Sequence, residues 1–110
     1  IMLINFDAME ETVTPGFLGG EGTLRARRWT DELGKIMRGT LDPGSSIGLH
    51  THETSSETIY ILSGTGKVLY EGQYEPLSAG SCHYCPKGRT HSLINDSAAP
   101  LEFLAVVPNQ

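Results

Sequence analysis

The sequence predicts an all-β domain, a sandwich or a barrel, and three observations point that way. The 110 residues include 13 glycines and 6 prolines, well above the roughly 12% that these two residues make up in average proteins. They fall at short intervals, as in Pro15-Gly16, Gly19-Gly20, Pro43-Gly44, Gly64, Gly72, Gly80 and Gly88, which leaves room for strands and not for long helices. Between these turns lie seven runs of strand character at hairpin spacing.

Taken in order, residues 6–11 are the one helix-like segment, two turns at most, with Asn5 or Asp7 as its N-cap. Strands are then expected at 24–29 and 35–41 on either side of Gly34, at 58–62 (Thr-Ile-Tyr-Ile-Leu), and at 67–71 between Gly66 and Gly72. Three more are expected at 81–85 after Gly80, at 91–95 after Pro86-Lys87-Gly88, and at 101–107. A chain of this length holds one domain, which can bury roughly two thirds of its unfolded surface without a disulfide framework or a structural metal.

Charge and hydropathy exclude several function classes. The chain carries 13 acidic and 8 basic residues for a net charge of −5, so it gains little from counterion release and nucleic acid is not an expected partner. The longest uncharged apolar run is Phe103 to Val107, against the roughly 20 residues needed to span a bilayer. No basic start followed by an apolar stretch resembles a secretion signal, and a cytoplasmic, membrane-free protein is expected. Ile1 ahead of Met2 is expected to be a remnant of expression, with Met2 the first native residue.

Three histidines and one glutamate stand out by spacing. His50 and His52 are two apart, so on a strand their imidazoles share a face about 7 Å apart, a chelate spacing. Glu57 follows the polar stretch 53–56, which suits a hairpin loop, and so is expected on the neighbouring strand facing the same pair. His91 arrives from a separate segment, after the turn at Pro86-Lys87-Gly88. Three imidazoles and one carboxylate suit one divalent transition metal (Fe, Mn, Ni, Zn, Co or Cu) and leave two octahedral positions free.

The surrounding pattern is similar to that of the cupin superfamily. Gly44, five residues, His50-Thr51-His52, four residues, Glu57, six residues, Gly64 resembles the first cupin motif. Gly80, five residues, Pro86-Lys87-Gly88, two residues, His91, three residues, Asn95 resembles the second. Fifteen residues separate the motifs, as in small single-domain bacterial members. The resemblance implies a double-stranded β-helix, the jelly-roll barrel, spanning 1–110 with core motifs 44–64 and 80–95 and a short N-terminal segment. It also implies His50, His52, Glu57 and His91 as metal ligands. Ser81 departs from the family, many of whose members carry Asp after the motif glycine, and this is expected to touch a turn hydrogen bond and not the ligand set.

Other residues have blander readings. Cys82 and Cys85 are three apart on an expected strand and so diverge, which speaks against a disulfide. Either of them or Tyr84 could line the cavity, and His83, with parity opposite to Cys82, is expected to be a structural histidine or a general base. Arg25, Arg27, Arg28 and Arg38 hold half of the positive charge. Their readings are a solvated or ion-paired strand face or a clamp for a substrate carboxylate. Trp29, Tyr60, Tyr70 and Tyr74 are expected mostly in packing, and Asn95-Asp96-Ser97 is only formally a glycosylation acceptor.

The expected function is that of a metal-dependent enzyme acting on a small oxygen-rich carboxylate, keto or enediol-type substrate, by oxygenase, lyase, decarboxylase or isomerase chemistry. The alternative is a non-catalytic binding module. A homodimer is expected, with Phe6, Phe17, Leu18, Trp29 and the arginines of the N-terminal third at its surface.

Overall fold

The computed structural model describes residues 2–110; Ile1, and the expectation attached to it, lie outside. Ten strands form: β1 (Thr12–Pro15), β2 (Thr23–Asp31), β3 (Gly34–Leu41), β4 (His50–Thr51), β5 (Glu57–Ser63), β6 (Thr65–Tyr70), β7 (Gln73–Ser78), β8 (Cys82–Cys85), β9 (Thr90–Ile94) and β10 (Leu101–Pro108). They pair antiparallel into a six-stranded sheet, β1-β2-β3-β10-β5-β8, and a four-stranded sheet, β4-β9-β6-β7. The expected all-β double-stranded helix is what the chain builds.

Alternation along the strands sets the two layers. Leu24 and Ala26 on β2, Met37 and Leu41 on β3, Ile59 and Ile61 on β5, and Phe103 and Ala105 on β10 point inward and are all nearly inaccessible. They meet Val68, Leu77 and Leu93 from the smaller sheet in one core cluster. Burying each of these side chains other than the two alanines contributes about 1.5–3 kcal/mol.

Two expectations about local structure are corrected. Residues 6–11 do not form two helical turns: a single 3₁₀ turn covers Phe6–Ala8, and Asn5 makes no side-chain cap. So short a segment cannot repay helix nucleation, and the Thr-Val-Thr run after it pairs as β1 with β2, from Thr12 opposite Ala26 to Pro15 opposite Thr23. Nor is 53–56 a hairpin loop. β4 pairs with β9 and β5 with β10 and β8, so this segment crosses from one sheet to the other.

The motif residues other than His50, His52, Glu57 and His91 serve the turns. Gly64 has φ +88, and a Cβ there would strike the Pro100 carbonyl, so only glycine joins β5 to β6 without strain. Ser81 makes a turn hydrogen bond itself, its Oγ accepting from the Ser78 N–H at 3.0 Å. Asn95 is fully buried. Its Nδ2 donates to the carbonyls of Leu41, Asp42 and Ala99 at 3.0, 3.2 and 2.8 Å, and its Oδ1 accepts from the Ser97 N–H at 3.0 Å.

Asn95 thus ties the end of β3 to the loop before β10. Asn95→Ala should lower the unfolding free energy by about 2–4 kcal/mol, since buried carbonyls lose their donor. A urea titration measures this, and an unchanged midpoint would contradict the role given to the side chain.

Candidate metal centre

The site is assembled from both sheets. His50 and His91 are directly opposite one another on β4 and β9. His52 lies one residue beyond β4, where its N–H donates to the Arg89 carbonyl at 3.0 Å and its carbonyl accepts from the Gly88 N–H at 2.6 Å. Glu57 opens β5 in the other sheet. The side chains of His52 and Glu57 are nearly buried, that of His91 is 1% exposed and that of His50 20%.

The donor atoms converge. His50 Nε2 lies 3.2 Å from His52 Nε2 and 3.0 Å from His91 Nε2, and the last two are 2.9 Å apart. Glu57 Oε1 is 3.0 Å from both His52 Nε2 and His91 Nε2 but 4.0 Å from His50 Nε2. Two ligands at right angles, each about 2.1 Å from a shared ion, sit about 3.0 Å apart, and two on opposite sides sit about 4.2 Å apart. Five short edges and one long one fit four vertices of an octahedron, so an octahedral ion held by these side chains would have two adjacent positions left for other ligands. The tetrahedral outline would have all edges near 3.4 Å. These four side chains could hold a metal ion, and three imidazole nitrogens crowded on one point suit a cation better than they suit one another.

Each imidazole is held from behind through Nδ1. His50 Nδ1 is 2.7 Å from the Gly48 carbonyl, His52 Nδ1 is 2.8 Å from Ser55 Oγ, and His91 Nδ1 is 2.9 Å from His83 Nε2. A Cβ on Gly48 would run into the backbone of Leu18, so glycine is needed to bring this carbonyl to where it accepts from His50 Nδ1.

Electrostatics follow the same layout. In the metal-free protein burial raises the Glu57 carboxyl, but hydrogen bonds from His52 and His91 and the charge on those rings when protonated outweigh it and hold the group down at about 2. Burial lowers His50, against the hydrogen bond to Gly48. Burial, then the charge of His91, brings His83 down to about 4.

His83 is the inward-facing member of its pair: it is 8% exposed, whereas Cys82 is exposed. Cys85 is also buried, and burial raises its thiol to about 11. The two cysteines sit on opposite faces of β8 and are free, as their spacing predicts. Tyr84, Tyr60 and Tyr74 are 55%, 44% and 60% exposed, so the expectation of packing is corrected for the last two. Tyr70 packs edge-on to His83 with ring centroids 5.5 Å apart.

The arginines are occupied. Arg25 makes a paired contact with Asp42 at 3.0 and 3.1 Å, Arg27 lies 3.7 Å from Asp7, and Arg38 lies 3.9 Å from Glu102. Arg28 donates to Thr12 Oγ1 at 2.9 Å and sits over the Phe17 ring. None of the four lines the cavity beside His50, His52 and Glu57.

That cavity, about 440 Å³, is bordered by His50, His52 and Glu57 on one side and by Phe17, Met37, Ile47 and Val107 on another. Lys35 is the one lysine or arginine among its described lining residues. The sequence reading missed Lys35, although β-alternation back from the buried Met37 places it on the inner face.

A family model described as "Cupin domain" matches residues 37–107. The chain belongs to the cupin family. This cupin is 44% identical over 72 residues to an oxalate-binding protein of Thermotoga maritima, a match that covers 66% of this chain and 60% of the relative. It is 31% identical over 72 residues to a mannose-1-phosphate guanylyltransferase of Escherichia coli, of which the match covers only 15%. Among solved structures, a predicted oxalate decarboxylase from Thermotoga maritima superposes with a TM-score of 0.93 at 30% identity, covering 99% of this cupin and 100% of that chain. A cupin-superfamily sugar phosphate isomerase from Silicibacter pomeroyi, with a TM-score of 0.79 at 23% identity over 99% of this chain and 76% of that one, shares the fold.

A pH dependence follows for the metal-free protein. The unfolded chain takes up protons at its histidines as pH falls through 6.5, whereas folded His83 resists until about 4, so stability present above pH 6.5 is lost between 6.5 and 4. Glu57, depressed to about 2, adds a further loss only below about pH 4.5. Thermal midpoints measured from pH 7 to 4 should decline across the upper window, and less steeply in His83→Gln. A flat profile would contradict the burial of a neutral His83.

Proposed function

We propose that this cupin, acting as a single domain over 1–110, is a metal-dependent enzyme for a small oxygen-rich carboxylate of the oxalate class. His50, His52, Glu57 and His91 are its ligands for one divalent transition metal. The observation that carries the reading is the pair of adjacent free vertices in the ligand outline, beside a cavity that contains one cationic side chain. A divalent ion held there would supply a Lewis acid able to take two neighbouring oxygens at once.

The chain's own residues supply the rest. Lys35 attracts an anion into the cavity and pairs with a carboxylate oxygen that the ligand set leaves free. Phe17, Met37, Ile47 and Val107 share the lining with the carboxylates Asp31 and Glu53, so Lys35 is the one lysine or arginine there to offset their repulsion of an anion. The buried Glu57 carboxylate brings one negative charge to the ligand set and the imidazoles bring none, so a divalent ion retains positive charge for an anionic ligand. Similarity to the oxalate-binding protein and to the predicted oxalate decarboxylase supports the choice of substrate class. That the Thermotoga maritima relative is an oxalate-binding protein favours a second reading, binding without turnover.

Protein purified without chelators or a metal-affinity step should hold near one transition-metal ion per chain by elemental analysis, lost in His50→Ala and in His91→Ala. Oxalate should bind the loaded protein in calorimetry, with affinity reduced about tenfold in Lys35→Ala, the size expected for one charge-assisted contact. Oxalate binding that survives removal of the metal would overturn the reading. Release of carbon dioxide and formate from oxalate would favour the enzyme, and binding with no product the second reading.

We also propose a homodimer through the outer face of the six-stranded sheet. Trp29, Ile36, Val106, Thr58 and Tyr84 lie in one row across five strands by register, and Tyr60 and Val106 are 44% and 38% exposed. A second copy supplies the same apolar row, as a two-fold interface requires. Gel filtration at micromolar concentration should give twice the chain mass, and Tyr60→Lys with Val106→Lys should return the monomer. A monomeric wild type would refute the dimer.

A further inference from the structure

We propose that His83 is a positioning residue that fixes the tautomer of His91, so that the Nε2 lone pair of His91 faces the other three donors. The inference rests on the metal reading above and adds a residue outside the ligand set.

The three ligand imidazoles differ in what stands behind them. His50 has the Gly48 carbonyl at its Nδ1 and His52 has Ser55 Oγ. A carbonyl oxygen can only accept, so Nδ1 of His50 carries the proton and Nε2 is the bare nitrogen. A hydroxyl accepts equally well from Nδ1 of His52. Behind His91 stands another imidazole, at 2.9 Å, and an imidazole nitrogen can donate or accept. If His83 Nε2 carried the proton, His91 would turn an N–H toward His50, His52 and Glu57 and could not ligate. If His83 Nε2 accepts, His91 is protonated at Nδ1 and all three rings present lone pairs to one point.

Packing leaves His83 little freedom to do anything else. It sits between His91, with ring centroids 5.2 Å apart, and Tyr70, at 5.5 Å. The alternation of β8 turns it inward while Cys82 and Tyr84 face out. Tyr70 and His91 are register partners on β6 and β9, so the wedge is built into the strand pairing. His91 itself is 1% exposed and has no water to replace a lost partner. A ligating histidine without its rear hydrogen bond typically binds metal 10- to 100-fold more weakly.

The test is titration of Co²⁺ into the wild type, His83→Phe and His83→Gln, each checked for the native fold by circular dichroism in the metal-free state. His83→Phe keeps a ring but no acceptor, and its Co²⁺ dissociation constant should rise about 10- to 100-fold. His83→Gln offers an amide oxygen and should recover most of the loss. In the Zn²⁺-loaded wild type, nitrogen-resolved NMR should show the proton of His91 on Nδ1, coupled across the hydrogen bond to His83. A wild type that binds Co²⁺ no better than His83→Phe does, or a His91 proton found on Nε2, would overturn the role of His83 alone. A wild type that takes up neither Co²⁺ nor Zn²⁺ would overturn the metal reading and this inference together. Should His83→Phe fail to fold, the NMR of the wild type and the affinity of His83→Gln still decide.

Discussion

The arrangement of His50, His52, Glu57 and His91 depends on one constraint: four donor atoms from two different sheets reach nearly a single point, as a metal ion held there would require. Three are imidazole nitrogens whose lone pairs would repel one another in the absence of a cation, and the fourth is a buried carboxylate oxygen. The backbone meets the constraint by placing His50 and His91 as cross-strand partners, by continuing that ladder one residue further to His52, and by starting β5 at Glu57. The side chains meet it through the hydrogen bonds to Nδ1, which choose which nitrogen of each ring faces forward. Architecture and tautomer choice are therefore two halves of one problem, the first solved by register and the second by Gly48, Ser55 and His83.

Much of this was legible in the amino-acid sequence because it rests on local signals. Turn residues at short intervals announced the strands, and the spacings of His50, His52, Glu57 and His91 announced four side chains that come together. What could not be read were the features that depend on neighbours distant in sequence. β7 carries Pro76 and is exposed at five of its six positions; it is an edge strand, held by its pairing with β6 and not by an apolar pattern of its own. β1, another edge strand, ends on Pro15 and was hidden for the same reason. The course of 53–56 could not be told from a hairpin loop, because a polar run of four residues is equally at home crossing between sheets.

The same division holds within the site. His83 was visible as a spare histidine, but its value lies in a contact to His91 eight residues away, decided by the alternation of β8. Lys35 was overlooked because a lysine at the start of a strand reads as solvent-facing, yet the inner face of β3 opens at that end into the cavity. The arginines, four in a short stretch, drew attention by number and turn out to be committed to Asp42, Asp7, Glu102 and Thr12. Density of charge was a weaker guide to a ligand site than position relative to the ladder.

Glu57 is the only one of the four donors that belongs to the six-stranded sheet. An ion held by the set would thus act as a rivet between layers that otherwise meet through side-chain packing and the hydrogen bonds of Asn95. By mass action, free metal at a hundred times its dissociation constant adds about 2.7 kcal/mol to the folded state, and here that energy is delivered at the seam between the sheets. With an ion bound, parting the two layers at Glu57 would require its release, so metal content would set how firmly the sandwich is closed there.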